Sequence, residues 1–277
     1  MPLPAPIPIP PTQLHWSGLT DIGRFRANNE DAFLTLSFDS SHLHHLGRSG
    51  NASLADADFV FGVSDGMGGA HSGEFASRIT IDKVTRLLPR GFRRSAGGSQ
   101  QGFSDILREI VAAIHHDLTR MGQSYEECAG MGATLSLGWF TPGWMYFSHV
   151  GDSRIYHLAG GGPLTQLTQD HTHVGWLRRT GQLNEREARA HPRKNALNQA
   201  LGAGHQFVEP QLGAVACAAG DRFLFCTDGL VDGLWDRQIE DRLRAPFGPD
   251  LARSLVDEAV ANSGRDNVTA IIVEALP

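Results

Sequence analysis

Five acidic residues of this chain sit where an apolar run meets a turn. Phe59-Val60-Phe61-Gly62-Val63-Ser64 leads into Asp65-Gly66, Met145-Tyr146-Phe147-Ser148-His149-Val150 into Gly151-Asp152, and Phe223-Leu224-Phe225-Cys226-Thr227 into Asp228-Gly229. Glu30 and Asp266 stand at the opposite end of such runs, Glu30 before Asp31-Ala32-Phe33-Leu34 and Asp266-Asn267 before Val268-Thr269-Ala270-Ile271-Ile272-Val273. If these runs are antiparallel strands, the end of one lies beside the start of its neighbour, and the five carboxylates meet on one rim of a sheet. A cluster of that charge repels itself unless cations sit within it, so the pattern predicts a site for more than one hard, oxygen-seeking divalent ion.

The elements that must position these groups are legible as apolar periodicity. Residues 14–23 and 31–38 read as strands joined by a polar turn that carries Arg26 and Glu30, 39–56 as a long Ser/His/Gly-rich surface loop, and 58–63 as a further strand. From Ser72 the spacing turns helical, with Phe75, Ile79, Val84 and Leu87 on one face, Ser72 as N-cap and Pro89 beyond the end. A polar loop over 91–102 precedes a second helix over about 104–121. Strands return across 133–167 with a hairpin turn at Pro142-Gly143, followed by short polar helices at 174–179 and 184–190. Strands at 212–216 and 221–227, two helices at about 231–243 and 249–261, and a closing strand complete the chain. Strand blocks alternating with helix pairs predict an α+β fold, a four-layer α-β-β-α sandwich of two antiparallel sheets flanked by helices.

Composition narrows the function. The 277 residues, 41% of them hydrophobic, can bury a large core, and a net charge of −6 without a basic stripe argues against a nucleic-acid binder. Arg90-Gly91-Phe92-Arg93-Arg94 reads as a solvated loop, and so does the His42, His44, His45 group; His115 and His116 read as exposed helix residues. The three cysteines, Cys128, Cys217 and Cys226, show no paired spacing, so neither disulfides nor a zinc-thiolate site is expected and a reducing cytoplasm is. Proline alternating through residues 1–13 predicts an extended tail rather than a helical signal segment, and no run reaches the ~18 apolar residues of a membrane span.

Asp65-Gly66-Met67-Gly68-Gly69 is the most specific segment, because a glycine after the carboxylate lets a backbone carbonyl approach a metal closely. Together with Arg26-Ala27-Asn28-Asn29-Glu30-Asp31, Gly132-Ala133-Thr134, Val150-Gly151-Asp152-Ser153-Arg154, Thr227-Asp228-Gly229 and Asp266-Asn267-Val268-Thr269, it resembles the metal-dependent serine/threonine protein phosphatases of the PPM, or protein phosphatase 2C-type, family in its bacterial form. The resemblance covers about 16–275 and implies a phosphatase domain over 14–277, with a flap, a mobile insert, at about 170–201. It implies catalytic roles for Asp65 and Asp228, with Asp65 bridging two Mn²⁺ or Mg²⁺ ions, the Gly66 carbonyl and Glu30 at one, and Asp228 and Asp266 at the other. Asp152 would join Asp228 at a weaker third ion, Asp31 would be a structural neighbour, and Arg26 would grip the phosphate with its planar donor fork. Arg154 reads instead as a brace of the sheet rim.

Two such ions about 4 Å apart can hold a bridging water, acidify it and neutralise phosphoryl charge, so in-line attack would release phosphoserine or phosphothreonine phosphate without a phosphoenzyme. No cysteine has an arginine six positions on, in agreement. Met67 stands where animal relatives carry the histidine proposed as leaving-group acid, and a thioether donates no proton; a metal-held water, or secondarily His71, is expected to serve. The arginines of the flap, Arg178, Arg179, Arg186, Arg189 and Arg193, suit acidic phosphopeptides and equally a solvated helical pair. The reading is thus a monomeric cytoplasmic phosphoprotein phosphatase opposing a eukaryotic-like serine/threonine kinase. A catalytically weak regulatory binding module of the same family is the alternative, and a two-metal phosphodiesterase or nuclease is the other.

Overall fold

The apolar runs become strands whose pairing brings distant parts of the chain to one rim. The computed structural model describes residues 10–39, 41–68, 72–94 and 100–277, with side chains described outside 89–101. Residues 1–9 of the proline-rich tail, Gly69, His71 and the side chains of the basic stretch at 90–94 therefore lie outside the described residues. In chain order the elements are β1 (Gln13–Asp21), β2 (Asp31–Phe38), β3 (Leu43–His45), β4 (Ser49–Ser53), β5 (Asp58–Met67), α1 (Ser72–Arg94) and α2 (Gln100–Ser124). Then come β6 (Gly132–Ala133), β7 (Leu135–Thr141), β8 (Trp144–Val150), β9 (Arg154–Leu158), β10 (Leu164–Gln166), α3 (His173–Arg179) and α4 (Glu185–Ala190). The last are β11 (Leu201–Gly202), β12 (Gln211–Ala216), β13 (Arg222–Cys226), α5 (Asp228–Gly233), α6 (Asp236–Leu243), α7 (Leu251–Asn262) and β14 (Val268–Leu276).

One antiparallel sheet runs β10-β9-β13-β14-β1-β4. The other runs β3-β2-β5-β7-β8-β12, with β6 and β11 continuing it beside the end of β5. Phe61, Phe140, Phe225 and Ile271 fill the space between the sheets. Helices α1 and α2 cover the outer face of the second sheet through Val84, Leu107 and Ile114, and α5 to α7 cover the first through Leu234, Leu255 and Val256. This is the four-layer sandwich expected. Both faces of β14 are covered, Ile271 and Val273 between the sheets and Ala270 and Ile272 under the helices, which is why it reads as an unbroken apolar run.

Three expectations of local structure are corrected. The segment 39–56 contains strands β3 and β4, because edges of β2 and β1 supply backbone partners that its polar sequence does not advertise. His44 and His45 thus lie on a strand, and His42 stacks on His44. Helix α1 passes through Pro89 to Arg94, and α2 starts at Gln100; packing of Val84 and Leu88 against Leu107 and Ile110 outweighs one lost helical hydrogen bond. The helix expected at 231–243 is two, α5 and α6, broken at Leu234-Trp235. There Gly233 lies so close to α7 that a Cβ would stand 2.5 Å from the Ala259 carbonyl, and Gln238 restarts the turn by accepting the Trp235 N–H. Ser72 opens α1 with its hydroxyl donating to the Glu127 carbonyl at 2.6 Å, a tie between α1 and the turn after α2. No helix among the described residues is long and apolar enough to cross a membrane.

Candidate active site

The register explains the rim. Asp31 at the start of β2 lies opposite Asp65 near the end of β5, Cys226 at the end of β13 opposite Ala270 near the start of β14, and Val150 at the end of β8 opposite Leu135 at the start of β7. Glu30, Asp65, Asp152, Asp228 and Asp266 all line one open cleft of about 560 Å³, together with Arg26 and Gly66. Asn195, Leu197 and His205 also line it, and sequence reasoning did not select them; only their place in the fold could have found them.

Glu30 and Asp65 are held by neighbours quoted in the same motifs. Asn267 clamps the loop before β2: its Oδ1 accepts the Glu30 N–H at 2.8 Å while its Nδ2 donates to the carbonyls of Ile22 and Asn28. Thr134 exchanges two bonds with Asp65, accepting its N–H at Oγ1 and donating its own N–H to its carbonyl. At Gly66 a Cβ would fall 1.9 Å from the Gly73 carbonyl, so glycine alone lets β5 pass the start of α1. Asp31 is buried and accepts from the hydroxyls of Thr227 and Thr269 at 2.7 and 2.6 Å, a structural tie between β2, β13 and β14.

Electrostatically the rim is under stress. Burial, then the neighbouring carboxylates Asp31 and Asp228, hold the Asp65 carboxyl well above the usual range. Burial followed by Asp152 and Asp266 does the same to Asp228, whose Oδ1 is buried with no hydrogen-bond partner. Asp152 is pushed up to about 7 by burial and then by Asp170. Among the described residues no three His, Cys, Asp or Glu side chains close around one point, and Arg26 takes up Asp266 at 2.7 Å with Glu30 at 3.7 Å. The donor set is nonetheless all oxygen, with a buried, unpartnered carboxylate atom, and it fits hard divalent cations better than any soft metal.

The protein phosphatase 2C family model matches residues 49–268. The chain belongs to the protein phosphatase 2C family. It is 32% identical over 266 residues to the serine/threonine protein phosphatase PstP of Mycobacterium tuberculosis, covering 95% of this chain but only 45% of that protein. It is 30% identical over 263 residues to the serine/threonine phosphatase stp of Listeria monocytogenes, covering 94% of this chain and 96% of the relative. A solved catalytic domain of PstP in complex with two manganese ions superposes with a TM-score of 0.75 at 30% identity, covering 96% of this chain and 99% of that one. Family membership accounts for the rim: one fold holds the motifs of six separated segments side by side.

Behind the rim lies a buried polar layer built from β7, β8, β9 and the segment after β10. Arg154 is the brace expected, with 13% side-chain exposure, gripping Asp170 through Nε at 3.0 Å and Nη2 at 2.7 Å and donating to the Tyr156 hydroxyl. Burial alone would raise the Asp170 carboxyl, but Arg154 beside it brings it below the ordinary value. His149 is fully buried, its Nε2 facing the Gln169 carbonyl at 3.2 Å. A hydrogen on Nε2 serves that carbonyl, which only accepts, and Nδ1 lies 2.9 Å from the Ser136 hydroxyl, whose single hydrogen also has the Ser153 carbonyl within reach at 3.1 Å. Burial, then His171, pushes the His149 imidazole down to about 3 from an ordinary 6.5. The unfolded chain binds a proton that the folded one refuses, so His149 leaves stability undiminished above pH 6.5 and erodes it as pH falls toward 3. Asp58, raised to about 6 by burial, acts with opposite sign in part of that window. The comparison that isolates His149 is therefore chemical denaturation of wild type and His149→Gln between pH 7 and 4, where the variant's stability is expected to fall less steeply.

The arginines of the segment 170–201 divide. Arg178 pairs with Asp236, and Arg189 donates to the Leu234 carbonyl and covers the Trp235 ring at 4.0 Å. Lys194 joins them by pairing with Asp232 at 2.6 Å. Arg179, Arg186 and Arg193 remain exposed. Two of the five thus tie the segment to α5 and α6, and only three are open to a ligand. His115 is half-buried rather than exposed, its Nδ1 accepting the Gly202 N–H at 3.1 Å.

Proposed function

We propose that this chain is a Mn²⁺- or Mg²⁺-dependent phosphatase of phosphoserine and phosphothreonine in proteins. The observation that carries the reading is the meeting of five carboxylates and Arg26 in one cleft, with Asp228 Oδ1 unpartnered. Asp65 would be shared by two ions, the Gly66 carbonyl and Glu30 serving one and Asp228 and Asp266 the other, while Asp152 with Asp228 would hold a looser third. Bound divalent ions would supply positive charge for the phosphoryl oxygens and lower the pKa of water near neutral pH. The chain itself does the rest. Arg26, 45% exposed at its side chain and already oriented by Asp266, turns its free donors to the phosphate. Asn267 fixes the loop carrying it, and Asn195 and Leu197 border the approach of the peptide.

The flap over 170–201, anchored by Arg178, Arg189 and Lys194, would steer substrates with its three exposed arginines. Three buried free cysteines suit a reducing cytoplasm, where a monomer would oppose a eukaryotic-like serine/threonine kinase. Phosphate release from a phosphothreonine peptide should require added Mn²⁺ or Mg²⁺. Arg26→Ala should lower kcat/KM by roughly 10- to 100-fold, the worth of a charged hydrogen-bonding pair. Inactivity of the wild type with either metal would turn the reading toward the regulatory module, and cleavage of a phosphodiester without peptide dephosphorylation toward the diesterase.

A further inference from the structure

A departing serine or threonine alkoxide needs a proton, and the residue after Asp65-Gly66 is Met67, whose thioether has none to give. The cleft contains one imidazole among its described lining residues, that of His205. Its place follows from the sheet. At the end of β5, β2 lies on one side of Asp65, preceded by the Arg26 loop. On the other side Met67 pairs with Gly132 of β6, and Gly132 with Gly202 of β11, three residues before His205. Arg26 and His205 therefore reach the cleft from opposite flanks of Asp65.

The turn that delivers His205 is costly and firmly held. Gly202, Ala203 and Gly204 have φ of 69°, 51° and 72°, and Ala203 is the one non-glycine with positive φ among the described residues. Such a residue costs on the order of 1 kcal/mol and persists where its surroundings over-determine it, commonly beside a functional group. Here the Ala203 N–H donates to Met131 at 2.7 Å, the Gly202 N–H to His115 Nδ1, and the His205 N–H back to the Gly202 carbonyl. The backbone is pinned while the His205 ring makes no hydrogen bond to a described residue.

We propose that His205 is the general acid for the leaving oxygen, an inference that rests on the phosphatase reading. Water adds to phosphorus and loses a proton to solvent; the bond from phosphorus to the serine or threonine Oγ breaks, its electron pair stays on Oγ, and protonated His205 gives Oγ a proton. The imidazole, left neutral, is reprotonated by solvent.

The test uses two leaving groups. A phosphothreonine peptide must release an alkoxide, whereas p-nitrophenyl phosphate releases a stable phenolate that needs no acid. His205→Asn should lower kcat on the peptide by ~10²-fold and on p-nitrophenyl phosphate by less than about threefold. With His205→Gly, added imidazole should restore peptide turnover and leave aryl phosphate turnover unchanged. Equal loss on both substrates, or an undiminished peptide rate, overturns the proposal; retained aryl phosphatase activity shows that the variant is folded. Failure of the wild type on both substrates would instead overturn the phosphatase reading itself.

Discussion

Asp65→Asn is expected to lower metal-dependent phosphate release by ~10³-fold or more, since the several kcal/mol of charge stabilisation assigned to the ions depends on the carboxylate that both would share. Asp228→Asn should act alike on turnover. Both changes carry a second, separable signature. In the wild type, burial and mutual repulsion of Asp65, Asp152 and Asp228 work against the fold, and Asp228 Oδ1 has no partner to offset its desolvation. Neutralising one of these groups should therefore raise the melting temperature of the metal-free protein. On the proposed reading divalent ions would bind the folded state, so added Mn²⁺ should raise the wild-type melting temperature and raise that of either variant much less. Thermal melts with and without Mn²⁺, run beside phosphate-release assays, read both effects. An Asp65→Asn protein that keeps wild-type turnover, or that gains the full Mn²⁺ shift, would sink the assignment.

Arg154→Met should cost about 3–5 kcal/mol, because it leaves Asp170 buried and charged without its partner. Asp170 is 11% exposed, and both its oxygens accept from Arg154. For a domain of this size the melting temperature should drop by about 10 °C. Replacing both partners, Arg154→Met with Asp170→Leu, should recover much of that loss, since an apolar pair leaves no orphaned charge. The double-mutant cycle by chemical denaturation decides it: a single-variant loss below about 1 kcal/mol would show the pair to be as weak as a surface ion pair. Activity should fall as well in Arg154→Met, because the unpaired Asp170 adds to the repulsion already acting on Asp152.

Much of the fold was legible because each apolar run carries its own signal. Strands β1, β2, β8 and β14, the Pro142-Gly143 turn and the apolar face of α2 could be read from spacing and turn residues alone. The parts that could not be read are those that depend on a partner outside their own segment. β3 and β4 exist because β2 and β1 offer edges, α1 outlasts Pro89 because α2 covers it, and α5 separates from α6 where Gly233 meets Ala259.

The site divides in the same way. Residue identity in the chain determined its chemistry: oxygen donors for hard ions at Glu30, Asp65, Asp152, Asp228 and Asp266, a guanidinium fork at Arg26, and no proton donor at Met67. These are properties of side chains and survive any arrangement. Only the tertiary structure decided that Arg178 and Arg189 tie the segment 170–201 to the start of α6 and the turn before it, that Asn267 fixes the loop carrying Arg26, and that His205 stands in the cleft on the flank of Asp65 away from Arg26. Those facts depend on strand order and on which carboxylate or carbonyl reaches a given donor first, and neither is encoded within any one segment of the chain.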